Sequence, residues 1–152
     1  MTTPIIWTCK RMDELTKQEL YAILKLRSEV FVVEQNCVYL DPDGKDENAY
    51  HLCGWLNGEL PVAYARLLPP NSAFPEASIG RVITHPGHRK DGYGKILMQK
   101  AIDLTLSHFN TNSIRIGAQQ YLTKFYNSLG FTQSSEPYIE DGIAHIKMIL
   151  HK

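Results

Sequence analysis

Apolar positions recur along the chain with two different periods, and the switches between them mark out the elements. Residues 5–9 read as a first strand. From Lys17 onward, Leu20, Ile23, Leu24, Val30 and Phe31 return at helical spacing, which predicts an amphipathic helical region over residues 17 to about 33. Thr16, with Glu19 three residues on, has the form of a capping box at its start. Residues 36–48 are rich in Asp, Gly and Pro and read as a loop. Residues 50–56 and 61–68 flank Asn57-Gly58, a strong hairpin signal, and residues 78–84 make a third strand before Pro86. Residues 92–108 read as a helix with Ile96, Leu97, Ala101 and Leu104 inward. A strand follows at 113–118, and then a short helix carries Leu122, Phe125, Tyr126 and Leu129 and ends at Gly130. Residues 131–136 and 143–150 close the chain as two strands joined around Asp141-Gly142. The order β-α-β-β-β-α-β-α-β-β predicts a mixed α/β sheet flanked by helices, antiparallel at first and with crossover helices later. It lacks the steady βαβ alternation of a doubly wound nucleotide fold.

The chain has 152 residues, the size of one domain, so residues 1–152 are expected to share a single core. Its 16 Lys and Arg balance its 16 Asp and Glu, so charge gives no indication of a nucleic-acid or membrane partner. Cys9, Cys37 and Cys53 are odd in number and do not pair closely, which fits reduced thiols better than disulfides or zinc. The opening Met1-Thr2-Thr3-Pro4 lacks a basic region followed by an apolar stretch. The expectation is a soluble, cytoplasmic protein.

The most informative stretch runs from Val82 to Leu97, where a strand leads into a glycine-bearing loop and then a helix. The first N–H groups of a helix lack internal partners and sit at the positive end of its dipole, so they suit an anion such as a diphosphate. Gly92 and Gly94 allow close backbone approach, and Arg89, Lys90 and Lys95 add positive charge. A dinucleotide fingerprint would need a third glycine where Leu97 stands. A Walker A loop would need Ser or Thr where Ile96 follows Gly94-Lys95. Arg-x-x-Gly-x-Gly is met in full by Arg89, Gly92 and Gly94, and an ordinary glycine turn with solvated basic residues is the remaining alternative. Val82-x-x-x-Pro86-x-x-Arg89-x-x-Gly92-x-Gly94, with a strand before and a helix after, resembles the acetyl-CoA-binding motif of the GNAT superfamily of N-acetyltransferases. Phe125-Tyr126-x-x-x-Gly130-Phe131 resembles that superfamily's later helix. Residues 26–39, with Asp43-Gly44-Lys45-Asp46 and His51, resemble its ElaA-like branch.

The resemblance implies a GNAT-like fold with a central sheet of about six to seven strands, acetyl-CoA as co-substrate without a metal, and a small-molecule or peptide amine as acceptor. It also favours a homodimer. It places the coenzyme against Arg81, Val82, Ile83 and Thr84, against Arg89, Lys90, Asp91, Gly92, Tyr93, Gly94 and Lys95, and against Gln119 and Tyr126. Tyr126 matches the tyrosine that protonates the departing thiolate, although a core aromatic would occupy the same apolar stripe. His51 and Glu34 are the candidate bases, against readings as a hydrogen-bonded structural histidine and a solvated helix-end carboxylate, and a chain of waters is the alternative to either. Arg27 and Arg66 interrupt apolar stretches, so each needs a carboxylate partner or faces the acceptor. Asp41, Asp43 and Asp46 with Gly44 fall short of a calcium loop, because Leu52 stands where its glutamate belongs. The acidic loop would suit a cationic acceptor or simply be solvated. A non-catalytic acyl-CoA-binding module is the alternative function.

Overall fold

A computed structural model describes residues 4–152, so the Met1–Thr3 part of the N-terminal reading lies outside the described residues. The elements are β1 (Ile5–Arg11), α1 (Lys17–Arg27), β2 (Tyr50–Leu56), β3 (Leu60–Leu68), β4 (Ser78–Thr84), α2 (Tyr93–His108), β5 (Ser113–Gln119), α3 (Thr123–Ser128), β6 (Thr132–Gln133), β7 (Tyr138–Glu140) and β8 (Ile143–His151). The mixed α/β class and the predicted order hold, with one strand added near the end.

Strands β1 to β4 pair in chain order as an antiparallel meander, and a second antiparallel sheet is built on β8, with β5 on one edge and β6 and β7 on the other. The sheet is thus less continuous than expected. Among the described residues its two halves meet at a single parallel bridge, Ala77 to Ile114, where the Arg115 N–H donates to the Ala77 carbonyl at 2.9 Å. Beyond that bridge β4 and β5 part. The cause lies in β4 itself: its register against β3 slips between Tyr64 and Arg66, and Arg81 takes a left-handed φ of 51°. A bulge of this kind bends a strand away from its neighbours.

The first sheet is covered on one face by α1 and the turn that follows it, where Ile23 and Leu26 of α1 and Val30 beyond it pack on Cys53, Trp55, Tyr64 and Ile83. On its other face Leu97, Met98, Ala101 and Ile102 of α2 pack on Leu52, Ala63, Ala65, Leu67 and Ile79. That core continues into Ile114, Ile116, Ile146 and Met148 of the second sheet. Of the stripe read from α2, Leu97 and Ala101 face the core as expected and Leu104 is half-buried, but Ile96 is exposed, and Met98 and Ile102 are buried in its place.

Two local departures have plain causes. After Arg27 the chain widens to i→i+5 winding over Ser28–Glu34, with the Gln35 N–H on the Val30 carbonyl and the Cys37 N–H on the Val32 carbonyl. The predicted closing strand over residues 131–136 shrinks to Thr132–Gln133. The Ser135 hydroxyl takes the Lys147 N–H that a ladder partner would have used, and Pro137 has no N–H to offer. Pairing resumes at β7, which turns into β8 through Asp141 and Gly142, both left-handed as a two-residue hairpin requires.

The capping box predicted at Thr16 is present. The Thr16 hydroxyl accepts from Glu19 N–H at 3.0 Å, and the Glu19 carboxylate accepts from Thr16 N–H at 2.8 Å and from Lys10 of β1 at 3.2 Å. Replacing Thr16 with Ala should lower stability by about 1 kcal/mol, read as a drop in urea midpoint at unchanged slope.

Candidate functional site

The loop after β4 is shaped by its own residues. Pro86 opens a short helical turn, the His85 ring nitrogen Nδ1 accepts from Gly87 N–H at 3.0 Å, and His88 and Asp91 pair at 3.1 Å. Gly92, at φ 79°, then turns the chain into α2 in a left-handed conformation that other residues adopt only with strain. Among the described residues no side chain caps the start of α2, so the amides of Tyr93, Gly94 and Lys95 present themselves outward. At Gly94 a Cβ would meet only Thr84 Cγ2, at 3.7 Å. The space above Gly94 is therefore open, and the absence of a side chain there is not dictated by packing.

This loop stands at the mouth of a cleft of about 900 Å³ in the gap between β4 and β5. Of the residues read from the sequence, Glu34, Arg66, Arg81, Val82, Ile83, Thr84, Arg89, Gly94, Gln119 and Tyr126 line it. Lys90, Asp91 and Lys95 are exposed, and with Gly92 and Tyr93 they lie beside the opening rather than in its wall. Arg89 donates through Nε to the Thr84 carbonyl at 3.3 Å and grips Glu34 with both terminal nitrogens, one at 2.9 Å. Hydrogen bonding to Arg89 holds the Glu34 carboxyl below its ordinary range. Glu34 is thus a partner of the basic loop, not a free carboxylate.

His51 belongs elsewhere. It is buried, with Nδ1 2.7 Å from the Tyr64 hydroxyl and Nε2 3.0 Å from the Asp46 carbonyl. The carbonyl can only accept, so Nε2 carries the proton and Nδ1 accepts from Tyr64. Burial lowers its pKa, and no ring nitrogen is left for a substrate. The structure therefore corrects its reading as a base: His51 is a structural residue off the cleft.

Arg27 is likewise a correction. It is fully buried, with Nε on Asp41 at 2.7 Å and Nη1 on Asp46 at 2.7 Å, and it does not line the cleft. Arg66 lines the cleft but is committed to Asp43, through contacts of 2.7 and 2.9 Å, and to Asp46 at 3.2 Å. Arg81 completes the set, donating to the Asp41 carboxylate at 2.8 Å and its carbonyl at 3.0 Å, with its guanidinium 5.5 Å from the centre of the Tyr39 ring. Asp41, Asp43 and Asp46 are therefore paired rather than free carboxylates, although Asp43 and Glu47 remain exposed. Three arginines, from α1, β3 and the β4 bulge, hold the acidic loop down.

Sequence reasoning found that Arg27 and Arg66 needed partners but did not join them to the aspartates, which are 14 to 23 residues away along the chain. It also read Arg81 only as a coenzyme contact, whereas its side chain anchors the bulge to Asp41. On the second sheet, Tyr138 and His145 face the same cleft and escaped notice, because no local spacing links them to the glycine loop. Tyr126 is buried against Phe125 and Phe131 while still reaching the cleft. Burial, reinforced by Tyr121, pushes its hydroxyl up to about 12.

Among the described residues, no helix is long and apolar enough to cross a membrane. The family model for the acetyltransferase (GNAT) domain matches residues 16–152. Protein ElaA of Escherichia coli strain K12 is 44% identical over 146 residues, covering 95% of each chain. The crystal structure of Escherichia coli ElaA superposes with a TM-score of 0.90 at 41% identity, over 97% of this chain and 100% of that one. An acyl-CoA N-acyltransferase from Pseudomonas aeruginosa superposes with a TM-score of 0.89 at 40% identity, over 95% of this chain and 99% of that one.

Burial alone would raise Asp43 and Asp46, but hydrogen bonds from Arg66 and Arg27 hold both below the ordinary carboxylate range. Their contribution to stability is present above the unfolded value of about 3.9 and is lost as pH falls through the lower folded values. The urea midpoint should therefore decline on acidification below about pH 4. Asp46→Ala should cost about 3–5 kcal/mol at pH 7, because it strips the buried Arg27 of one partner, and should flatten that acid decline. Urea titrations of both proteins between pH 3 and 7 check this.

Proposed function

This chain belongs to the GNAT acetyltransferase family and is an acyltransferase, and from that premise we propose that it carries an acetyl group from acetyl-coenzyme A directly to a small-molecule or peptide amine in the cytoplasm. The observation that carries this reading is the uncapped start of α2, with open space at Gly94, set at the mouth of the cleft where β4 and β5 separate.

The diphosphate rests on the amides between Arg89 and Lys95, where helix-end partial charge and guanidinium charge favour it. Arg89 then exchanges part of its hold on Glu34 for phosphate oxygens. The pantetheine arm follows the edge of β4 that β5 has left. That edge would otherwise keep unpaired peptide groups, and a pantetheine amide satisfies them as a strand would. The thioester reaches the bulge at Arg81–Val82, whose amides do not follow the regular ladder. One of them donates to the carbonyl oxygen as negative charge gathers there, a contribution of about 2.7–4 kcal/mol when the donor is preorganised. The clamp on Arg81 supplies that rigidity.

Tyr126 serves the leaving sulfur. Burial raises its hydroxyl to about 12 and would raise a thiol seated beside it in the same way, so the hydroxyl stays protonated and offers the sulfur a hydrogen bond as the C–S bond breaks.

Calorimetry should find acetyl-CoA and CoA binding at one site per chain, with NAD not binding. Gly94→Val should weaken the coenzyme at least tenfold with little change in thermal stability. Tyr126→Phe should reduce kcat far more than it changes acetyl-CoA affinity. NAD binding instead of coenzyme would overturn the reading. Coenzyme binding without thiol release across a panel of amines would leave a binding module in its place.

A further inference from the structure

Acetyl transfer as proposed above leaves the amine without a base, since His51 is sealed off and Glu34 is held by Arg89. Resting on that acetyl-transfer reading, we propose that His145 is the general base that takes the proton from the attacking amine, working from the face of the second sheet opposite to Tyr126.

Strand alternation sets the placement. On β8, Ile146 and Met148 point into the core, so His145 and Lys147 point the other way. On β5, Ile116 and Ala118 are in that same core, so Gly117 and Gln119 face out beside Lys147 and His145. Tyr126 packs with the core side. Both Tyr126 and His145 nevertheless line the one cleft, because the gap between β4 and β5 opens through the sheet. A thioester seated in the gap would have its sulfur near one and its carbonyl carbon approachable from the side of the other.

The ring is held in the tautomer that a base requires. Nδ1 lies 2.8 Å from the Ile143 carbonyl, an acceptor only, so Nδ1 carries the proton and Nε2 has the free lone pair. Tyr138 stacks on the ring with centroids 5.9 Å apart, and its hydroxyl sits 3.1 Å from where a Cβ on Gly117 would be. A Cβ at 117 would make the Tyr138 hydroxyl give way by a few tenths of an ångström. The Glu140 carboxylate is 3.7 Å from Nε2, beyond hydrogen-bond distance, and leaves that lone pair free. The other groups facing this side are Tyr138 of β7, Lys147 of β8 beside the Tyr138 ring, neutral Gln119 of β5, and Asp141 at the hairpin tip. Arg66 and Lys45 line the cleft as well.

The step balances without further reactants. The amine nitrogen bonds to the carbonyl carbon, and its proton becomes acidic as that bond forms. Nε2 takes the proton, the C–S bond breaks, and its electron pair leaves on sulfur with a hydrogen bond from Tyr126. The imidazolium then releases its proton to solvent, which returns one to the thiolate, so that amine and thioester become amide and thiol.

His145→Asn retains a side-chain N–H able to reach the Ile143 carbonyl but has no titrating nitrogen. Its kcat with saturating amine and acetyl-CoA at pH 7 should fall about 100-fold or more, with the acidic limb of the kcat profile gone and acetyl-CoA affinity within about twofold of wild type. In the wild-type protein, the NMR titration of the His145 ring in the ternary complex with acetyl-CoA's unreactive thioether analogue should coincide with the limb. Wild-type turnover and an intact limb in His145→Asn would overturn the assignment, as would a His145 titration more than about one pH unit from the limb. A wild-type protein that binds acetyl-CoA yet acetylates no amine would instead remove the transfer reading, and this base with it.

Discussion

Three guanidinium groups converge on one acidic loop, and the geometry of the cleft follows from that convergence. Arg27 comes from α1, Arg66 from β3 and Arg81 from the bulge in β4, and between them they bind Asp41, Asp43 and Asp46. Burying this much charge is costly unless almost every donor and acceptor is matched. The match here ties a helix, two strands and a loop to one set of positions. His51 and Tyr64 extend the network beneath it, through the Asp46 carbonyl. An isolated bulge with a left-handed arginine would be strained and mobile. Clamped from below and from the side, it becomes a fixed break in the sheet.

That break separates two tasks. Ahead of it the meander pairs normally and supports α1 and α2. Beyond it β4 and β5 diverge, and the second sheet, built on β8, offers a different wall to each side of the gap. Residues at the start of α2 and on the β7–β8 hairpin both line the opening. The same splay explains why the parallel contact expected between the halves is a single bridge.

The fold was largely legible in the sequence because its signals are local. Thr16 and Glu19 cap a helix within one turn, Asn57-Gly58 and Asp141-Gly142 specify turns by their backbone freedom, and the spacing of Arg89, Gly92 and Gly94 announces a strand, loop and helix in succession. What stayed hidden depends on distant partners. Arg66 reads as an anomaly until Asp43 is brought beside it from 23 residues away. His51 has the chemistry of a base and is disqualified only by Tyr64 and the Asp46 carbonyl, neither of which its own strand reveals. His145 sits in an ordinary alternating strand, and nothing in that alternation says which face the cleft will take. The shortened β6 was misjudged for another reason: a serine side chain replaced the ladder at Ser135, a competition that apolar patterning does not register.

The pair between Arg89 and Glu34 bears on the choice of anion at this loop. The guanidinium is not bare: it already carries a carboxylate on two of its nitrogens. Under the coenzyme reading proposed above, an anion reaching Arg89 would compete with that occupant, as on an ion exchanger. Two adjoining phosphates would bring more charge than a lone carboxylate and would also reach the helix amides, so the exchange would favour them.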